Sequence, residues 1–247
     1  MPVGKPFIQL FEVDSTNNYA MAQVQASLAV HGTAWFAHKQ TLGKGQRGKV
    51  WLSTEKENII LSIAIDPSPL SIANQFIISA IAALACVDLL KKYYSDYVKI
   101  KWPNDVFCGD RKAGGILIEN VIQGKNWKFS IVGIGMNINQ TNFPTDVVNA
   151  TSLALLTGNQ YDPIVLAQEL CLIFEERWLT VVNGNFSNIM QDYHQNLYKL
   201  NEVVTFKYEN AVFLAKVLGV NLQGELRLNT GEEITMPVGR VTWLSTS

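Results

Sequence analysis

Cysteine is scarce in this 247-residue chain: Cys86, Cys108 and Cys171 stand far apart, each among apolar neighbours. Their spacing matches no thiolate metal site and supplies no disulfide framework, so they read as buried thiols of a reducing compartment. Excess charge of either sign is also missing. The 20 Lys and Arg residues nearly balance 21 Asp and Glu, for a formal net charge of -1. No general attraction to nucleic acid or anionic lipid follows from that balance. No uninterrupted run of about 18 apolar residues exists, so no membrane-spanning helix is expected. The stretch from Met1 to Asp14 has no basic segment leading into an apolar one, so it does not read as a signal peptide. Internal repeats and low-complexity segments are absent. The expectation is a cytoplasmic globular protein, with the choice between monomer and homodimer left open.

What is present is enough apolar sequence, 48 % of residues, to bury a full core. The length allows one large domain with a smaller one attached. Pro6 to Val13 reads as a strand, followed by a helix capped by Asp14 or Ser15 that carries Tyr19, Ala22, Ala26 and Ala29 on one face and ends near Gly32. Thr33–His38 and Asn58–Ile65 read as buried strands. Ser71 to Tyr93 keeps helical spacing through Ile77, Ile81, Leu84, Val87 and Leu90. Val98–Trp102 is a strand stopped by Pro103, since proline has no donor for a ladder. A hairpin turning at Gly109-Asp110 and a strand over Lys128–Ile134 follow. Asp162-Pro163 opens a helix that runs through Val182, and Phe186–Leu200 reads as another. After Asn201 only short β-type runs remain, separated by turns at Asn210, Gln223-Gly224 and Gly231. The expected class is therefore α+β, with a main domain over 1–200 and a small β-barrel-like domain over 201–247.

Five segments carry candidate chemistry. Gly43-Lys44-Gly45-Gln46-Arg47-Gly48-Lys49 obeys the spacing of a dinucleotide fingerprint, but Lys49–Asn58 is too short and poorly patterned to be the helix that fingerprint requires. Its cations between glycines suit a phosphate or mixed anhydride, because glycine lets backbone N–H groups approach an anion; a basic surface turn fits the spacing equally. Lys101-Trp102-Pro103-Asn104-Asp105 offers a rigid aromatic wall and a carboxylate able to hold magnesium beside phosphates, or simply a turn at a strand end. Lys112 precedes Gly114-Gly115 and the strand Ile116–Glu119, where glycine admits a ligand that a lysine can meet as a point charge; an ordinary hairpin lysine is the alternative. Gly133-Ile134-Gly135-Met136-Asn137 pairs close-packing glycines with an amide suited to ribose or base, or marks a bulge. Ser15-Thr16-Asn17 sits at a helix start, fit for a polar head group or for capping alone.

In this order the segments resemble the biotin protein ligases. The resemblance rests on Asp14 to Asn17, Gln40 leading into the glycine loop with Trp51, the K-W-P-N-D segment, Lys112 with Gly115 to Glu119, and Gly133 to Asn137, and it extends through the β-rich C-terminus. The family usually has arginine where this loop has Lys44, and some members have arginine where it has Gln46. Lysine keeps the charge at the first position without planar bidentate contacts. Family members that repress transcription carry an added N-terminal DNA-binding domain. The catalytic pattern here starts within 14 residues, so no such domain and no nucleic-acid or membrane partner are expected.

The resemblance implies a catalytic domain related to class II aminoacyl-tRNA synthetases and lipoate ligases, with a small SH3-like C-terminal barrel. It implies biotin and Mg²⁺·ATP as ligands, biotinyl-5′-AMP as intermediate, and the biotin carboxyl carrier domain of a carboxylase such as acetyl-CoA carboxylase as protein partner. By the same resemblance, Ser15, Thr16, Asn17 and Gln40 hold the biotin rings, and Gly43, Lys44, Gly45, Gln46 and Arg47 wrap the carboxylate and phosphate. Lys112, beside Gly115, bridges those two groups, with Lys112 and Arg47 the catalytic pair. Lys49, Trp51, Asn104, Asp105 and Asn137 face the nucleotide, with Asp105 also a candidate magnesium ligand. The competing functions are a lipoate or octanoate ligase on the same fold and a non-catalytic sensor of biotin or nucleotide.

Overall fold

A computed structural model of the chain describes residues 1–144, 147 and 149–244. Seven strands form one sheet in the order β1-β2-β3-β7-β6-β5-β4. They are β1 Phe7–Val13, β2 Ala34–Gln40, β3 Asn58–Ile65, β4 Val98–Lys101, β5 Asp105–Cys108, β6 Arg111–Gln123 and β7 Asn126–Asn137. The β1–β2 pair is parallel and the other ladders are antiparallel, so the sheet is mixed. β3 lies inside the sheet and is buried along its whole length, which is why its sequence is nearly continuous in Ile, Leu and Ala rather than alternating. Helix α2, Phe76–Tyr93, and helix α4, Pro163–Val182, belong to the large core on one face of the sheet. Helix α1, Thr16–Gln25, covers the other face, where its Ala20 and Val24 meet Trp35, Ala64 and Ile131.

Several boundaries differ from the sequence expectation. α1 ends at Gln25 rather than near Gly32, and Ser27 adopts a left-handed backbone (φ 59°) that a helix cannot continue through. Its buried side is Thr16, Asn17, Ala20 and Val24 rather than the face holding Ala22 and Ala26, both exposed, because its first-turn polar groups are turned inward to hydrogen-bond the sheet. A short 3₁₀ turn, Ile72–Asn74, precedes α2. Lys112 lies within β6, and Gly133–Asn137 lies within β7 and makes no bulge there. The Asp162 carboxylate accepts from the backbone N–H groups of Ile164 and Val165, capping α4 as its sequence predicts. Ile72–Tyr93 is long and apolar enough by composition to cross a bilayer, but two-thirds of its most apolar 18-residue stretch is buried inside the protein, as in the core helix of a globular domain. All three cysteines are buried and unpaired.

Helices α3, Leu153–Thr157, and α5, Phe186–Gln195, complete the helical part. The C-terminal strands, β8 Val203–Tyr208, β9 Ala211–Val220, β10 Leu226–Asn229, β11 Glu233–Met236 and β12 Val241–Trp243, form an antiparallel sheet in the order β11-β10-β9-β8-β12. Val204, Phe206, Val217, Leu226 and Leu228 join the same continuous core as α2 and the large sheet. Two tryptophans interlock the sheets. Trp102 Nε1 donates to Gly224 O at 2.8 Å, and Trp243 Nε1 donates to Trp102 O at 3.0 Å.

Candidate active site

Three glycines open a floor in the large sheet. Gly133 and Gly135 share one face of β7, and Gly115 of β6 stands opposite Gly135. A Cβ at Gly135 would overlap the Trp51 indole, one at Gly133 would overlap the Asn17 carboxamide, and one at Gly115 would press on Trp51 and Lys112. The missing side chains make room for those groups beside a cavity of about 510 Å³. The glycine loop, the K-W-P-N-D segment and the turn from Val238 to Trp243 close its sides.

One end of the cavity is lined by neutral polar groups, linked behind the wall to the Glu119 carboxylate. Ser62 Oγ donates within reach of both Thr16 Oγ1 (2.8 Å) and Asn17 Oδ1 (2.6 Å). Gln40 Oε1 accepts from the Thr16 backbone N–H at 2.7 Å, and Asn17 Nδ2 donates to Glu119 Oε2 at 2.8 Å. These bonds hold rotamers that would otherwise be free at a helix start. Ser15, also buried on the wall, makes no side-chain capping bond to α1, so capping does not account for it. Ser62 and Glu119 carry much of this arrangement and are not among the sequence candidates. Glu119 ends the segment from Lys112 through Gly115 to Glu119, whereas Ser62 is a lone hydroxyl in an apolar strand.

The charged part is cationic. Lys44, Arg47, Lys49, Lys101 and Lys112 line the cavity against one carboxylate, Asp105, so a protein of nearly zero net charge concentrates five cations on one wall. The loop folds back on itself through Gly45 N–H to Lys49 O (2.7 Å) and Trp51 N–H to Gly43 O (2.9 Å). Lys44 Nζ pairs with Glu119 at 2.9 Å. Arg47 takes a left-handed backbone (φ 57°, ψ 41°), and its guanidinium donates to Gly239 O (2.6 Å) and Val238 O (3.0 Å). Two of its five donors are thus spent on the C-terminal sheet and three remain. Lys112 Nζ lies 2.6 Å from Asp105 Oδ1 and 5.8 Å from the centre of the Trp51 ring. Burial holds the Lys101 ammonium below the usual lysine range, with Asp105 opposing that shift and Lys112 adding to it.

The candidates Ser15, Thr16, Asn17, Gln40, Lys44, Gly45, Gln46, Arg47, Lys49, Trp51, Asn104, Asp105, Lys112 and Gly115 thus converge on one cavity. Asn104 reaches its wall but also locks the strand ends, its amide donating to Ile116 O at 2.8 Å. Two candidates are off the wall. Asn137 is buried and donates to Thr151 O at 2.9 Å, so its amide is used to tie β7 to the segment before α3. Gly43 lies beneath the loop, pressed against Trp51 O, and gives the loop its tight base rather than a ligand contact. Trp102 is only 1 % exposed and serves chiefly to dock the C-terminal sheet. Among the described residues no three His, Cys, Asp or Glu side chains group as metal ligands, and Asp105 is already paired with Lys112. That donor set does not fit a magnesium ion held by the protein itself.

Comparison with known proteins decides the family. The model of the biotin/lipoate A/B protein ligase family matches residues 10–137. The chain belongs to that family. It is 31 % identical over 210 residues, 83 % of its length, to the bifunctional ligase/repressor BirA of Bacillus subtilis, and spans 64 % of that relative. It is 28 % identical over 226 residues to the biotin–[acetyl-CoA-carboxylase] ligase of Mycobacterium tuberculosis, covering 89 % of this chain and 82 % of that one. Among solved structures, the biotin protein ligase of Aquifex aeolicus in complex with biotin and ATP superposes with a TM-score of 0.81 at 25 % identity, covering 97 % of this chain and 98 % of the other. In this chain the polar end, the cationic wall and the glycine floor border one contiguous cavity.

Proposed function

We propose that this family member is an ATP-dependent biotin protein ligase acting in the cytoplasm. The observation that carries the reading is the convergence of a neutral polar pocket and a five-cation wall on one cavity. A fused-ring urea such as biotin needs the first, and a carboxylate meeting a triphosphate needs the second. Similarity to a ligase bound to biotin and ATP supports the same pairing.

In this reading Ser15, Thr16, Asn17 and Gln40 hold the biotin rings and direct the carboxylate toward Lys112. The carboxylate oxygen bonds to the α-phosphorus of ATP as the bond to the β-phosphate oxygen breaks, giving biotinyl-5′-AMP and pyrophosphate. Lys112 leaves Asp105 to neutralise the converging carboxylate and phosphate. Lys44, Gly45, Gln46 and Arg47 close over the mixed anhydride and keep water out. Trp51, Lys49 and Asn104 face the nucleotide. Any magnesium would come with ATP as its counter-ion, and Asp105 is the carboxylate on the cavity wall that could meet it. In the second step the amine of a carrier lysine attacks the acyl carbon, forming the amide and releasing AMP. The carrier is the biotin carboxyl carrier domain of a carboxylase. The 1–200 segment supplies the catalytic unit, of class II aminoacyl-tRNA synthetase type, and the five-stranded 201–247 segment a small SH3-like barrel.

Acid-dependent exchange of labelled pyrophosphate into ATP tests the reading. Biotin should support exchange while lipoate and octanoate do not, and Lys112→Ala should cut the biotin rate by about 10²–10³-fold, the scale for losing one charge-stabilising group, without altering the circular dichroism spectrum. Exchange with lipoate or octanoate instead of biotin would reassign the substrate. Ligand binding without exchange would make the protein a sensor.

A further inference from the structure

Three of the five cations on the cavity wall have a partner among the described residues, and a fourth is left to solvent. Lys44 pairs with Glu119, Lys112 with Asp105, Arg47 with two backbone carbonyls, and Lys49 stands exposed on the loop. Lys101 differs. Its ammonium is half-buried, and among the described residues it makes no hydrogen bond or ion pair. It sits instead over three aromatic rings, 4.6 Å from the centre of Phe107, 5.8 Å from Tyr198 and 6.0 Å from Trp243. Ring faces attract and partly dehydrate a cation without neutralising it, so its three N–H donors stay available to an anion.

The sheet order places that ammonium. The polar pocket lies over β3, β7 and β6, Lys112 is on β6, and Lys101 is two strands farther, on β4. In an in-line displacement the leaving group departs on the side away from the attacking oxygen. A carboxylate arriving from the β3–β7 side at a phosphorus beside Lys112 expels pyrophosphate toward β4.

We infer that Lys101, caged by Phe107, Tyr198 and Trp243, binds the departing pyrophosphate, and that Trp243 makes the C-terminal sheet part of this subsite. The inference rests on the ligase reading for its reaction and on the cage geometry for its ligand class. As the α-phosphorus–oxygen bond breaks, the electron pair passes to the oxygen that becomes part of pyrophosphate, and Lys101 donates hydrogen bonds to the departing diphosphate oxygens. It transfers no proton. Trp243 is a positioning residue: its indole N–H is fixed on Trp102 O, which turns its ring toward Lys101.

The test is binding of inorganic pyrophosphate to the full chain, read by the fluorescence of the tryptophans around the cavity, together with separate rates for the two half-reactions. Lys101→Met should weaken pyrophosphate binding about tenfold or more, the scale of a charge-assisted hydrogen bond. It should slow adenylate formation far more than transfer from supplied biotinyl-AMP. Lys101→Arg should restore pyrophosphate binding, and Trp243→Leu should weaken it in a protein that keeps its fold and its Lys101. Unchanged pyrophosphate binding in Lys101→Met would overturn the inference, as would equal loss in both half-reactions. If the wild-type protein binds pyrophosphate through Lys101 yet never activates biotin, the subsite stands and the ligase reading falls.

Discussion

A methyl group added at Gly133 would overlap the Asn17 carboxamide, and one added at Gly135 would overlap the Trp51 indole. Neither glycine has a positive φ, so neither is required by its backbone conformation. What each supplies is space, and the two spaces serve different ligands in the proposed reaction. Displacing Asn17 breaks its bonds to Ser62 and Glu119 at the biotin end, whereas displacing Trp51 disturbs the nucleotide end and the ring beside Lys112. Gly133→Ala should raise the KM for biotin about tenfold, the cost of one or two misplaced hydrogen bonds, with the KM for ATP little changed. Gly135→Ala should do the reverse. Pyrophosphate exchange with each substrate varied in turn measures both. A parallel rise of both constants in both variants would show that the glycines keep the sheet regular rather than shape two subsites.

At the scale of an element, the glycine loop is held at both ends of its reach. Lys44 ties it to Glu119 on β6, and Arg47 ties it to the turn before β12. Gly239 makes the second tie possible, since it has φ 81° and a Cβ there would overlap the Arg47 guanidinium. Arg47→Ala and Gly239→Ala therefore break the same contact from opposite sides. Each should speed both proteolysis within the loop and escape of biotinyl-AMP, and the double variant should be no faster than the faster single one, because coupled residues do not add. Additive rates would mean that the two positions act separately. The loop's chemistry was readable from its glycines and cations, and the elements around it were readable from their periodicity, as α4 with its Asp162 cap and unbroken β3 illustrate. The use of Arg47 and Asn137 was not. Each side chain spends its donors on carbonyls distant in sequence, Val238 and Gly239 for one and Thr151 for the other, and no local pattern marks those partners. The buried side of α1 was not legible for a related reason: periodicity counts apolar residues, and this helix turns Thr16 and Asn17 inward.

Across the whole molecule, the change of pattern near Asn201 suggested two domains, yet the packing joins the two sheets. One apolar core runs from α2 and the large sheet into Phe206, Val217 and Leu228. The Trp102 and Trp243 indoles each donate across the junction, and His194 of α5 meets the Val220 backbone at 3.0 Å. Removing the C-terminal strands would expose the apolar residues that pack on them and leave the buried Trp102 N–H without its acceptor, a cost of about 1–3 kcal/mol for the unpaired donor alone. The protein should therefore unfold as one unit. Calorimetry should record a single transition whose calorimetric and van't Hoff enthalpies agree, moved upward as a whole by biotin with ATP, because the cavity proposed to hold them is lined by residues from both the large sheet and the C-terminal segment. Two resolved transitions, with only the hotter or the cooler one shifted by ligand, would mean that the C-terminal sheet folds apart from the site and that Val238 to Trp243 line the cavity without being needed to hold it.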